Sequence, residues 1–359
     1  MGGNALKNIT ETRRYSSDEY FAVVPEVTNI VRKVVGPAAR IAVIPAYRSK
    51  PDFGDMDVLV EMIDGGPKDF RGRLLEAFKA PDMYANGSVY SIPLRDLQVD
   101  LILSSPEKFD FSHNYFSWND TGNLVGRTAH KQGLIFGHDG LRFPVRDGDY
   151  QFRELVVTRD FGKALVFLGY DAKRFQKGFD GLQDIFEYVA SSKFFNRDIF
   201  LLENRNAISR IRDSKRKTYM EFLKWCEVRT DLPSFDYPKD KSVWITHICD
   251  QFPGFKIELD KAVADLAVQR TVKAKFNGAY VKDLTGLDGQ ALGQLMQGFR
   301  NSFPDPASMQ TFILGSTEQA LRDRVLVTQS GFGMVGSEHS VHEPIEAVEG
   351  KSRSQSRRP

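Results

Sequence analysis

The sequence is poor in the residues that build thiolate and imidazole metal sites. Its two cysteines, Cys226 and Cys249, lie too far apart for a short metal-binding motif. So few cysteines also argue against a disulfide framework. The six histidines form no His-x-His or His-x-x-x-His pair. The sequence therefore indicates no zinc site.

Long apolar runs and a strong net charge are also missing. No apolar run approaches the roughly 18 residues that span a bilayer, so we expect no membrane partner and a cytoplasmic location. The formal net charge is only +2, which argues neither for nor against a nucleic-acid partner. With 359 residues, 41% of them hydrophobic, the chain is typical of a globular protein of two or three domains.

The most informative feature is a pair of carboxylates at the head of an apolar strand. Asp55 and Asp57 stand two positions apart in the segment 54–60, so a strand places them on one face. Adjacent like charges are costly unless a cation lies between them. Asp100 stands in a second apolar strand, 99–103. Three such acids can hold two divalent ions about 3.5–4 Å apart, which favours metal-dependent phosphoryl transfer; the alternative is a turn acid beside a strand start.

The surrounding pattern predicts an α+β fold. Apolar spacing predicts the following elements: helices over 27–35 and 70–79, a short strand over 41–44, an edge strand over 88–92 and a central strand over 97–103. We expect a catalytic domain over 1–150 and a mostly α-helical domain over 151–329. Residues 330–359 lack periodicity, end in the polar, basic stretch 351–359 and are predicted to be a disordered tail.

The acid pair and the residues before it resemble the metal-binding strand of DNA polymerase β-like nucleotidyltransferases. The matching letters are GDMDVLV at 54–60, preceded by YRSK at 47–50. The resemblance implies a nucleotidyltransferase-type mixed sheet flanked by helices, and two Mg²⁺ ions, for which Mn²⁺ can substitute. It also implies that Asp55 and Asp57 hold both ions. Asp100 then holds the ion nearest the acceptor hydroxyl and accepts its proton.

A segment after the third acid is similar to the Tyr-Phe segment of family X polymerases. Here it reads NYFSWND at 114–120 and is followed by Asn123 and Arg127. The resemblance implies that five residues contact the sugar and base of the incoming nucleotide: Tyr115, Phe116, Asp120, Asn123 and Arg127. Read without the resemblance, the two aromatics are ordinary core residues.

The loop before the acid pair is expected to bind the triphosphate. Arg48 and Lys50 are placed to grip the β- and γ-phosphates, and the alternative is a solvated surface pair. Gly54 belongs to the same nucleotide-binding set. The superfamily usually has Gly-Ser at the start of this loop, whereas this chain has Pro-Ala at 45–46. Because proline removes an amide donor, we expect Ser49 to supply part of the lost phosphate binding.

Two features of the second half bear on the acceptor. Residues 276–295 resemble a short motif in the helical domain of bacterial-type CCA-adding enzymes and poly(A) polymerases, in which Asp288 or Thr285 would cap a helix. The stretch 205–217 is rich in Arg and Lys. It is either a phosphate-backbone contact or a solvated face.

Together these observations predict an enzyme that transfers a nucleoside monophosphate from an NTP or dNTP to a hydroxyl and releases pyrophosphate. The expected acceptor is a DNA or RNA 3′ end. Transfer to a small molecule or a protein side chain is the alternative within the enzyme class. A non-catalytic nucleotide- or nucleic-acid-binding protein with a degenerate fold is the alternative outside it.

Overall fold

A computed structural model describes residues 4–62 and 68–335 of the chain. The chain divides into two compact units, with the boundary between Val263 and Ala264. The predicted domain boundary at residue 150 falls inside the first unit. Within the described ranges, no helix combines the length and apolar character needed to cross a membrane.

The first unit combines all described strands with a series of helices. The strands are β1 Tyr15–Ser16, β2 Ile41–Val43, β3 Asp52–Phe53, β4 Asp55–Glu61, β5 Tyr84–Asn86, β6 Val89–Leu94, β7 Leu97–Ser104, β8 Ile135–Gly137, β9 Gly140–Asp147 and β10 Tyr150–Thr158. The helices are α1 Ser17–Val35, α2 Phe70–Phe78, α3 Phe109–Phe116, α4 Thr121–Lys131, α5 Phe161–Phe167, α6 Ala172–Lys177, α7 Leu182–Ala190, α8 Ala207–Ser214, α9 Lys217–Glu227 and α10 Val243–Gln251.

A five-stranded mixed sheet forms the centre of this unit, in the order β2-β4-β7-β6-β5. Strands β4 and β7 pair in parallel, and the other neighbours pair antiparallel. The α+β class and the mixed sheet with flanking helices are therefore confirmed. The central position of β7 is also as predicted.

One face of the sheet packs on α1 and α2. Met56, Val58 and Val60 of β4 are fully buried there, together with Val27 and Val31 of α1. Helix α1 begins at a capping box, in which Ser16 and Glu19 exchange side-chain and backbone hydrogen bonds. The apolar stripe of α1 therefore covers one face of β4 and leaves the alternate residues of that strand to the other face.

Two sequence expectations for the strands need correction. The segment 88–92 was predicted as an edge strand, but β6 lies between β5 and β7. Pro93 is tolerated because β5 pairs only as far as Ser91, so no neighbour on that side needs an amide donor at residue 93. The sequence does not predict the three-stranded sheet β10-β9-β8, and the mostly helical part of the chain begins after β10 rather than at residue 150.

The second unit, from Ala264, is helical and has its own core. Its helices are the C-terminal part of α11 Pro253–Lys275, then α12 Gly278–Thr285, α13 Gly289–Asn301, α14 Pro306–Gly315 and α15 Glu318–Val335. Phe276 and Phe299 stack at the centre of this core. Asp288 caps α13, as the sequence allows. The predicted tail start at residue 330 falls within α15, and residues 336–359 lie outside the described residues.

Candidate active site

The strand register brings the three predicted acids together. In the parallel pair of β4 and β7, Asp57 lies directly opposite Asp100, and Asp55 lies opposite Gln98. Neighbouring strands are roughly 4.8 Å apart, and residues at i and i+2 share a face. Asp55, Asp57, Gln98 and Asp100 therefore occupy one face of the sheet, near the beginning of both strands.

The electrostatics of these acids show how close they are. Burial, followed by repulsion from Asp55 and Asp100, raises the pKa of Asp57 to about 7. Burial also raises the pKa of Asp100, which is 2% exposed, and repulsion from Asp55 adds to the effect. Hydrogen bonds from Ser91 and Gln98 to the Asp100 carboxylate act in the opposite direction. Bringing these carboxylates together thus costs free energy that a bound cation would offset.

The chemistry of this donor set fits a hard divalent cation. Mg²⁺ and Mn²⁺ prefer carboxylate oxygens, and three acids supply them from two rigid strands. Within residues 4–62 and 68–335, no group of three or more Asp, Glu, His or Cys side chains is arranged as a closed set around a metal position. The acids thus have the right ligand type, and metal binding would require them to turn toward a common point.

Three residues near the acids were not identified from the sequence. Gln98 and Ser91 hydrogen-bond Asp100, and the ring of Tyr20 stacks on Phe53 at 3.8 Å between centroids. Burial and the nearby Asp57 raise the pKa of Tyr20. Gln98 could have been found, because it stands two residues before Asp100 and so shares its face. Ser91 and Tyr20 reach the site only through the tertiary fold.

The predicted phosphate-binding loop splits into two environments. Lys50 lies within electrostatic range of Asp55 and Asp57, and its ammonium sits 4.3 Å from the Phe53 ring centroid. Burial lowers the pKa of Lys50 despite those two carboxylates. Arg48 instead pairs with Asp180 at 2.6 Å, and both side chains are more than half exposed. Only Lys50 of these two cations is thus placed beside the acids.

The start of this loop supports the segment after α3. The Pro45 carbonyl accepts a hydrogen bond from the Trp118 amide at 2.7 Å. The Asn119 side chain accepts one from the Tyr47 amide at 3.4 Å. Trp118 and Asn119 both have a positive φ, of 64° and 60°, and for a bulky Trp this conformation is strained. The Ser49 amide bonds the Asp180 carbonyl at 2.8 Å. Pro45 thus holds a strained turn through its backbone carbonyl.

The two aromatics of the Tyr-Phe segment pack within the protein. Phe116 stacks on His138 and lies against a small apolar cluster that includes Leu59. Tyr115 contacts Phe116 edge-on and Phe136 at a tilted angle, and burial raises its pKa. Gly122 lies so close to Tyr115 that a Cβ there would meet the Tyr115 carbonyl oxygen at 2.3 Å. Position 122, in the first turn of α4, therefore requires a residue that lacks a side chain.

The remaining predicted nucleotide contacts have protein partners. Asp120 forms an ion pair with Arg216. The side-chain oxygen of Asn123 accepts a hydrogen bond from the Arg212 guanidinium at 3.3 Å. The buried side-chain nitrogen of Asn123 has no partner in the part of the chain described. Arg127 is 7% exposed and donates two hydrogen bonds to the Ile199 carbonyl, at 3.0 and 3.2 Å. The predicted nucleotide contacts of all three residues stay predictions.

No protein-family model matches the chain, and a search of curated proteins finds no significant match. The strand register and the clustering of the three acids are therefore the observations that bear on function.

Proposed function

We propose that the protein is a two-metal nucleotidyltransferase that moves a nucleoside monophosphate from an NTP or dNTP to a hydroxyl group. The observation that carries this proposal is the parallel register of β4 and β7, which places Asp55, Asp57 and Asp100 on one face. The pKa of Asp57, raised first by burial and then by repulsion from Asp55 and Asp100, supports it further.

The acids have distinct roles in this proposal. Asp55 and Asp57 would hold both divalent ions, and Asp100 would hold the ion nearest the acceptor hydroxyl. When bound, the ions lower the pKa of that hydroxyl and neutralise charge on the triphosphate. Asp100 is positioned by two hydrogen-bond donors, Gln98 and Ser91, and is the acid that accepts the acceptor's proton.

The loop residues would bind the triphosphate. Lys50 lies within electrostatic range of Asp55 and Asp57, so its ammonium would be able to reach phosphate oxygens beside the metal ions. Arg48 would have to exchange Asp180 for phosphate. That ion pair is well exposed, and exposed pairs are weak enough for a triphosphate to replace them.

A nucleic-acid 3′ end is the acceptor that the surroundings favour. Arg212 and Arg216, from the basic stretch 205–217, contact Asn123 and Asp120 of the predicted nucleotide-binding segment. Both guanidinium groups already pair with carboxylates, Arg212 with Asp213 and Arg216 with Asp120, so a phosphate backbone would have to exchange these partners. Transfer to a small molecule or a protein side chain is the second candidate, since it would need only the acids and Lys50.

The test is primer extension with each nucleotide separately, on DNA and RNA primers, with and without template, in Mg²⁺ or Mn²⁺. Extension that is lost in Asp57→Asn supports the proposal. Asp52→Asn is the matched control, because Asp52 lies close in sequence but pairs with Arg14. Label transferred to protein or to a metabolite would support the second candidate. Absence of any transfer by the wild-type protein would contradict both and favour a binding protein.

A further inference from the structure

Asp100 is held by a short chain of hydrogen bonds that leads to the N-terminal segment. The Gln98 side-chain nitrogen donates to both Asp100 carboxylate oxygens at 3.0 Å. The Gln98 side-chain oxygen accepts from the Ala5 backbone amide at 2.9 Å. Gln98 and Asp100 are 1% and 2% exposed. Water therefore competes little with these bonds.

The Ala5 amide determines which way the Gln98 side chain points. A backbone N–H can only donate, so the group of Gln98 that faces it must be the carbonyl oxygen. The NH₂ group then has to face Asp100. The reverse orientation would place two donors against each other at Ala5 and an oxygen against the Asp100 carboxylate.

The N-terminal segment is itself fixed along the start of β7. Leu6 is fully buried, and its carbonyl accepts from the amides of Ile9 and Thr10. Farther along, Arg13 bonds Asp96 through its backbone amide at 2.9 Å and its guanidinium at 2.7 Å. The segment that contains Ala5 is therefore held by the turn at Leu6 and by the bonds between Arg13 and Asp96.

We propose that Gln98 is a positioning residue for the third acid, and that the Ala5 amide sets the direction in which Gln98 acts. Gln98 contacts neither substrate nor metal; it holds the Asp100 carboxylate at the angle from which that group can turn to a cation. This inference rests on the proposed function, since it assigns Asp100 to the metal site. It adds a role for residues 5 and 6, which lie outside the segments that resemble nucleotidyltransferases.

The principal test is Gln98→Met, which keeps the length of the side chain and removes both its donor and its acceptor. Mn²⁺ binding to the full chain is measured by electron paramagnetic resonance. Loss of a residue that orients a metal ligand typically weakens metal binding by roughly 10–100-fold, which is the expected result. The KM for the nucleotide should change little, while kcat falls. A purely structural role would lower the thermal midpoint without changing the Mn²⁺ affinity of the folded protein.

Gln132→Met is the matched control, because Gln132 is also 1% exposed but its side-chain amide has no partner among the described residues. It should leave Mn²⁺ affinity unchanged. Ala5→Pro removes the amide that orients Gln98 and should weaken Mn²⁺ binding by a smaller factor. Lys7→Pro is its control, since Lys7 is exposed and follows the turn residue Leu6, a position that favours proline.

The outcomes separate this inference from the proposed function. Wild-type affinity for Mn²⁺ in folded Gln98→Met would overturn the inference and leave the proposed function standing. A wild-type protein that binds Mn²⁺ but transfers no nucleotide would contradict the proposed function, and the variants would still test Gln98. A wild-type protein that binds no Mn²⁺ would overturn both.

Discussion

The carboxylates at the two ends of one face of β4 have opposite electrostatic surroundings. Glu61, near the end of the strand, accepts from the Arg40 amide at 3.0 Å and from its guanidinium at 3.1 and 3.2 Å, and these bonds lower its pKa. Asp57, near the beginning, faces Asp55 and Asp100, and its pKa is raised. Leu59 lies between them in an apolar cluster. A carboxylate with its own cation is part of the fold, whereas carboxylates that face one another are suited to a cation from solution.

The largest expected effect is at the end of β4 that carries Asp55 and Asp57. Asp57→Asn should lower nucleotidyl transfer by more than about 100-fold, the upper end of what is lost when a residue outside the ligand set is changed. The fold should persist, because removing one of three clustered charges relieves repulsion. Single-turnover kinetics and circular dichroism measure the two properties. Wild-type turnover in folded Asp57→Asn would contradict the two-metal site.

The next largest effect is expected at the Glu61 end of β4 and concerns the free energy of unfolding. Arg40→Met removes the guanidinium, which lies over the Phe109 ring and pairs with Glu61 and Asp110, and leaves Glu61 only the backbone amide of residue 40. We expect the free energy of unfolding to fall by about 1–3 kcal/mol, the cost of leaving a charged group without its charged hydrogen-bond donor. Denaturant unfolding measures it. Transfer should be retained, because residue 61 is roughly 13 Å along the strand from residue 57. Loss of metal binding in Arg40→Met would contradict the conclusion that the two ends of β4 have separate roles.

A smaller effect is expected in the pH dependence of the stability that the Arg40–Glu61 pair contributes. Since Arg40 lowers the pKa of Glu61 below its ordinary value of 4.5, the pair stabilises the protein above that pH and loses its contribution as the pH falls below it. Unfolding of wild type and Glu61→Gln, followed from pH 7 to pH 3, should therefore show a difference in stability that shrinks in acid. A difference that stays constant would mean that the charge of Glu61 contributes nothing.

The smallest effect is expected for the carboxylate of a solvent-exposed ion pair. Glu26 pairs with Arg95 at 2.6 Å, with 42% and 57% of the side chains exposed. Because solvent screens this pair, Glu26→Gln should leave the unfolding midpoint unchanged within error. A destabilisation as large as that of Arg40→Met would show that burial is not what distinguishes Glu61.

The sequence was sufficient for the strands that carry the acids. The alternation around Asp55 and Asp57 and the apolar run around Asp100 predict two strands, and a shared face follows from the period of two. The parallel register that sets Asp57 against Asp100 is a tertiary property. So is the position of Arg127, whose hydrogen-bond acceptor, the Ile199 carbonyl, is distant in sequence and is a backbone atom that no side-chain pattern reveals. The separation of Lys50 from Arg48 depends on Asp180, which likewise cannot be inferred locally.

The parallel pairing of β4 and β7 also bears on the order of folding. Parallel neighbours cannot be joined by a tight turn, and here the chain passes through α2, β5 and β6 before it returns as β7. Closing such a loop is slow compared with forming a hairpin. The acid cluster therefore does not exist in a chain that has made only its local contacts. Metal binding would then report the completed sheet, and a chain trapped before that step would carry the right residues and bind nothing.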